Sequence, residues 1–202
     1  IHEKLLERWA ALKGHFDGAF HFTSVKESEE DFRTVEYLRD TALQAGIKGK
    51  WIAVEDLGWS ADLGRFVDLE EGPIENLFKL YPWEWFLREE FGLHLVKDPA
   101  RFLEPPWKML LSNKGILSVL WELFPNHPNL LPSYFTPDAL GPRHVRKPLY
   151  SREGANVTLV DGIQNTEVEG PYGKEGYVYQ ALSPLPIFDG DNHTVVGAWM
   201  IG

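Results

Sequence analysis

Cysteine is absent from these 202 residues, which excludes disulfides, thiolate catalysis and cysteine-ligated zinc. Long apolar runs are absent too: no stretch approaches the roughly 20 residues that span a bilayer, and no signal peptide is visible. Basic side chains are in the minority, 20 against 30 acidic ones, for a net charge of −10. A nucleic-acid duplex or an anionic membrane surface is repelled by such a chain on average, so neither is expected as a partner, and the expected location is cytoplasmic. The common catalytic signatures are missing as well. There is no G-x-x-x-x-G-K-[ST], no G-x-G-x-x-G after a strand, no H-E-x-x-H and no G-x-S-x-G. The seven histidines are scattered, and His127, set among prolines and asparagines, reads as a surface-loop residue rather than a metal ligand. "FDGDNH" at 188–193 begins like a calcium loop but lacks the later ligands, so Asp189–Gly190 is read as a hairpin turn between two strands.

What is present is apolar mass: 44% hydrophobic side chains, with 8 Trp, 12 Phe and 7 Tyr. That supports one large or two small domains with a true core. Leu5, Leu6, Trp9 and Leu12 share a helical face, and "FDGAFHFT" then reads as a strand. "SEEDFRTVEYLRDTALQAG" has a capping serine, early acids, Phe32, Val35, Leu38 and Ala42 at helical spacing, and a terminating Gly46. "KWIAVEDL" is a second strand, so strand, helix and strand succeed one another as in a parallel α/β unit. "GRFVDL" is a shorter strand. "IENLFKLYPWEWFLREEF" is read as a helix broken by Pro82 into a second, aromatic-rich turn. After the Pro-rich "EPPWKMLL", a helix with Ile116, Leu117, Leu120, Trp121 and Phe124 as core candidates follows Asn113 and Lys114. Beyond the Pro/Asn loop "PNHPNLLP" the pattern is mostly strand: "RHVRKPLY", "ANVTLVDG", "GYVYQALSPL" and "HTVVGAWMI". The expected fold class is therefore α/β plus α+β, with an α/β region over 1–103 and a second region over 104–202. Ile1 opens directly in a helical pattern and "TVVGAWMIG" reads as a strand in want of a partner. The chain is expected to continue at both ends in a longer protein.

Two lysines stand out. Lys147 ends a strand-like stretch, with Pro148 fixing the backbone after it. Alone, it reads as a solvated lysine on an edge strand. The loop that follows favours a different reading, because Ser151, Arg152, Glu153 and Gly154 offer an anion a hydroxyl, a guanidinium and backbone N–H groups. Lys114, 33 positions upstream (147 − 114), starts a helical run, where a cation opposes the helix dipole unless a negative partner is near. "YQALSPLP" at 179–186 is either an ordinary buried strand or a hinge whose backbone bonds an adenine edge, and spacing leaves both open.

Taken together, "EPPWKMLLSNKGILSVLWELFPNHPNLLPSYF", "KPLYSREGANVTLV", "EGPYGKEGYVYQALSPLPIFDG" and "NLFKLYPWEWFLREEF" resemble the glutathionylspermidine synthase-like family of ATP-grasp ligases, nearly end to end and in the same order. The resemblance is closest to stand-alone members without an amidase domain. It implies a pre-ATP-grasp-like α/β region over 1–103 and a truncated ATP-grasp nucleotide-binding region over 104–202, an incomplete fold. It also implies the reaction: a carboxylate attacks the γ-phosphate of ATP, and an amine captures the resulting acyl phosphate as an amide. Under the resemblance, Lys114 and Lys147 match the phosphate-contacting lysines. Ser151, Gly154 and Ala155 match the loop that closes over the phosphates, and Gln180, Ala181, Leu182 and Ser183 match the adenine-side hinge. Trp83 and Glu84 match a stretch near the peptide-substrate pocket, although Trp83 reads equally well as core.

The family's magnesium ligands and a catalytic arginine come from an upstream segment, roughly R-x-D followed by E-N-N, which does not occur in these residues. ATP and Mg2+ are thus the implied cofactors, with no metal ligand assigned here. These residues alone are expected to turn over little ATP, because the metal neutralises the developing charge. Small-molecule or peptide carboxylates and amines are the implied substrates, and the oligomeric state is left open. The alternative is a non-catalytic domain of the same fold that binds a nucleotide or a partner.

Overall fold

The computed structural model describes residues 1–162 and 164–201. The chain divides into two compact units, one formed by Ile1–Pro106 with the terminal stretch from Gly197, the other by Trp107–Val196.

The first unit is built on a four-stranded parallel sheet of order β2-β1-β5-β6, from β1 (Phe20–Ser24), β2 (Gly49–Ala53), β5 (Asn76–Leu80) and β6 (Arg101–Leu103). Helix α1 (His2–Leu12) precedes β1, and α2 (Glu29–Gln44) makes the crossover to β2. Helix α2 begins where its sequence says it should: the Ser28 hydroxyl accepts from the Asp31 N–H at 3.2 Å, with Glu29, Glu30 and Asp31 against the positive end of the dipole. Leu5 and Trp9 of α1, Val35 and Ala42 of α2, and Ile47 close over Phe20 and Phe22. The buried Trp9 indole N–H donates to the Thr41 hydroxyl at 3.0 Å, as a core tryptophan requires. A small antiparallel hairpin, β3 (Gly58–Ser60) with β4 (Arg65–Val67), is inserted between β2 and β5.

One segment differs from its sequence reading. Residues 76–80, read as a helix ahead of Pro82, form β5, and the single turn α3 (Trp83–Phe86) and a 3-10 turn over Glu90–His94 follow the proline. The strand lies between β1 and β6 with Asn76, Leu77 and Lys79 all buried. Strands covered on both faces have near-continuous apolar runs, which periodicity does not separate from a buried helix.

In the second unit, α4 (Met109–Ser112) and α5 (Ile116–Leu123) precede an antiparallel sheet of order β10-β9-β8-β11-β7. Its strands are β7 (Ser133–Tyr134), β8 (Arg143–Pro148), β9 (Thr158–Asp161), β10 (Gln164–Glu167) and β11 (Tyr177–Ala181). Strand β10, wholly exposed and polar, carried no sequence signal. The strands β12 (Ile187–Phe188) and β13 (Asn192–His193) pair across a turn with Asp189 at φ 37° and Gly190 at φ 86°, the hairpin read from the sequence. The strand expected over 193–201 does not extend past His193; Val195 and Val196 are each 84% exposed. The apolar stripe of α5 is also less covered than its spacing implies. Ile116, Leu117, Leu120 and Trp121 are half-buried, and Phe124 is 54% exposed. The whole is a mixed α/β chain with one parallel and one larger antiparallel sheet.

Candidate functional site

Lys147 lies on β8 opposite Val178 of β11, and Gln180 lies on β11 opposite both Val145 of β8 and Ser133 of β7. Cross-strand partners share a face and alternate residues return to it, so Lys147, Gln180 and Ser133 point to one side of the sheet. The Lys147 ammonium donates to the Gln180 side-chain carbonyl at 2.6 Å. Burial pushes the Lys147 pKa below its ordinary value, and no carboxylate lies within ion-pairing distance of it among the described residues. A half-buried ammonium held by a neutral amide has a free-energy reason to take an anion.

Lys114 comes to the same end of β8 from 33 positions away. Its N–H donates to the Leu149 carbonyl at 2.8 Å, and its ammonium donates to the Ser151 carbonyl at 2.6 Å. The sequence reading set it at the first turn of a helix. In the structure α5 starts two residues later, at Ile116, and the ammonium is turned to the 149–151 segment. The Ser151 hydroxyl is buried without a hydrogen-bond partner among the described residues. Beyond it the chain turns sharply, with Glu153 at φ 52°, Gly154 at φ 79° and Asn156 at φ 55°. The turn is pinned from both sides. Ala155 N–H donates to Arg152 O at 3.0 Å, and Asn156 N–H donates to Val168 O at 2.7 Å. The Asn156 side-chain oxygen accepts from Tyr172 N–H at 2.8 Å. A side chain at Gly154 would meet nothing within 4 Å, so open space lies over the loop there.

Of the expected hinge, Gln180 is buried, Ala181 ends β11, Leu182 is half-buried and Ser183 is exposed. The Ala181 N–H is already committed to the Pro132 carbonyl at 2.8 Å. Gln180 enters the site through its side chain, where the sequence reading had used its backbone. Ser133, in "LPSYF", carried no signal, because its role exists only once β7 is beside β11. No group of three or more His, Asp or Glu side chains among the described residues is placed to hold a metal, so the residues present do not fit a magnesium site.

Trp83 and Glu84 belong to the first unit. Both are buried, in the turn just past the carboxyl end of β5, where open α/β sheets bind their ligands. The Trp83 indole donates to the Glu104 carbonyl at 2.9 Å, and the Lys79 ammonium stands 3.9 Å from its ring centroid. Trp83 is thus a packed residue whatever else it does.

Residues 1–202 match the family model described as glutathionylspermidine synthase preATP-grasp. A Haemophilus influenzae protein named "Putative acid--amine ligase" is 44% identical over the whole of this chain, which covers 54% of that protein. Trypanothione synthetase of Crithidia fasciculata is 28% identical over the whole chain, covering 34% of its own length. The bifunctional glutathionylspermidine synthetase/amidase of Escherichia coli is 27% identical over 84% of this chain and 32% of its own. The chain thus spans about half, or a third, of the length of these relatives.

Proposed function

The chain belongs to the glutathionylspermidine synthase preATP-grasp family, and on that footing we propose that it supplies the nucleotide-phosphate cradle of an ATP-dependent carboxylate–amine ligase. The observation that carries this reading is the anchoring of Lys114 to Leu149 and Ser151, on the chain segment that continues from Lys147. Lys114 is thereby held at the loop that follows β8, the strand that carries Lys147, and the Ser151 hydroxyl of that loop is buried without a partner among the described residues. Phosphoryl transfer asks a protein chiefly for positive charge and positioning around the phosphates.

In this role Lys147 and Lys114 hold the triphosphate. The 151–155 loop, with Ser151, Gly154 and Ala155, covers it, and the 180–183 segment, with Gln180, Ala181, Leu182 and Ser183, lies at the base. Trp83 and Glu84, which belong to the first unit, are assigned to an organic substrate on the family resemblance alone. A carboxylate oxygen forms its bond to the γ-phosphorus as the bond to ADP breaks. An amine nitrogen then displaces phosphate from the acyl carbon and gives up a proton. The names of the relatives point to a peptide carboxylate and a polyamine as the substrate class, and an excess of acidic over basic side chains suits a cationic amine. The ligands of a magnesium ion would come from outside the described residues.

The test is calorimetric titration of the full chain with ATP and Mg2+, comparing wild type with Lys147→Ala and Lys114→Ala after circular dichroism has shown each to be folded. The expected loss is about tenfold or more in affinity for each variant, the scale of a lost charge-assisted hydrogen bond. Unchanged affinity in both variants rules the cradle out. ATP turnover that depends on both amine and carboxylate would exclude the non-catalytic reading.

A further inference from the structure

The hydrogen bonds behind Lys147 run in one direction only. An ammonium has donors and no acceptor, so the Gln180 amide must offer it oxygen, at 2.6 Å. That leaves the Gln180 amide nitrogen facing the Ser133 hydroxyl oxygen, at 2.9 Å. A serine has one proton to give, and Ser133 gives it to the Leu131 carbonyl at 2.9 Å, so toward Gln180 it is an acceptor. Ser133 is 1% exposed and Gln180 7%, so water does not compete for these bonds. Each link therefore forbids the amide from turning over.

We propose that Ser133 is a positioning residue for the nucleotide site: by accepting from the Gln180 amide while donating to Leu131, it locks the Gln180 oxygen toward Lys147 and so holds the ammonium charged and in place. This rests on the cradle reading for its purpose, though not for its geometry. Without the Ser133 oxygen the amide nitrogen is buried with no acceptor there. A rotated amide then presents N–H groups to the ammonium, a repulsive arrangement that lowers the lysine's proton affinity further. Burial already acts on Lys147 in that direction, so the lock opposes a cost the site carries in any case.

The measurement is the titration of the Lys147 side chain, followed by NMR in the full chain labelled at lysine, without nucleotide. Ser133→Ala is expected to move the titration to lower pH, and Ser133→Thr, which keeps the hydroxyl, to restore it. Gln180→Glu, which puts a carboxylate at the acceptor position, is expected to move it upward. It serves as the deciding variant should the alanine chain fail to fold. A Lys147 titration that ignores both Ser133→Ala and Gln180→Glu overturns the lock. ATP affinity is measured on the same samples, with about fivefold weakening expected for Ser133→Ala, the worth of one neutral hydrogen bond. A moved titration with unmoved ATP affinity upholds the lock and overturns the cradle.

Discussion

The Lys114 ammonium donates to the Ser151 carbonyl at 2.6 Å while the Lys114 N–H donates to the Leu149 carbonyl at 2.8 Å, so one residue grips the entrance of the loop by both its main chain and its side chain. Lys114→Ala removes the side-chain grip and keeps the main-chain one. The expected outcome is faster amide hydrogen exchange over 151–157, with exchange in the β8 and β11 amides unchanged. Equal exchange in loop and strands would show that the side chain does not order the loop.

Lys147 titrates below its ordinary value because burial disfavours its charge. The folded chain therefore gives up this proton at lower pH than the unfolded chain. The charged form costs stability below the folded value, and that cost fades as pH climbs through it toward 10.5. On the proposed cradle, a triphosphate bound at Lys147 would reverse the preference. ATP binding is expected to weaken at alkaline pH and to take up protons there. Calorimetry in buffers of different ionisation enthalpy measures the uptake, and Lys147→Met should abolish it.

Asp68 is the counterpart in the first unit. Burial pushes it up, but hydrogen bonds from Gly72 N–H, His21, Glu70 N–H and Lys50 outweigh that and bring it to about 2. Its contribution is present above 3.8 and is lost as pH falls from there through about 2. Asp68→Asn is expected to cost about 2 kcal/mol at neutral pH, the scale of charge-assisted bonds to a carboxylate, and less at acid pH. Urea melts at pH 7 and pH 3 read this directly, and a penalty independent of pH would be the wrong sign of dependence.

Phe22 and Phe124 make a matched pair of truncations. Phe22 is fully buried, with Trp9, Phe20 and Phe78 at ring-centroid separations of 5.8, 4.8 and 5.9 Å. Phe22→Ala is expected to cost about 3–5 kcal/mol. Phe124→Ala, at an exposed position, should stay within about 0.5 kcal/mol. Comparable losses in a denaturant titration would contradict the burial of one of them.

Gly154 takes φ 79° with nothing within 4 Å of a would-be side chain, so backbone strain alone opposes substitution. Gly154→Ala is expected to destabilise by about 1 kcal/mol, seen as a small fall in Tm. A fall as large as that of Phe22→Ala would mean the loop is packed rather than open.

Much of the first unit was readable along the chain. The Ser28 cap, the apolar spacing of α2 and the strands on either side specify a parallel α/β unit, because caps and periodicities act between near neighbours. The Asp189–Gly190 turn was readable for the same reason. Strand β5 was not, since a strand buried on both faces loses the alternation that marks it. Family membership, too, was legible in four ordered motifs, and the match over residues 1–202 agrees.

What the sequence by itself determined is the set of parts: two lysines, a glycine turn, most of the strands and a family. What only the tertiary structure decided is which of them meet. Lys114 reaches Ser151, and Gln180 turns its oxygen to Lys147 with Ser133 behind it, across separations of 37, 33 and 47 residues. Neighbouring residues carry no record of such partners. The direction of a buried amide is settled by where the next donor and acceptor happen to stand, and those come from other strands.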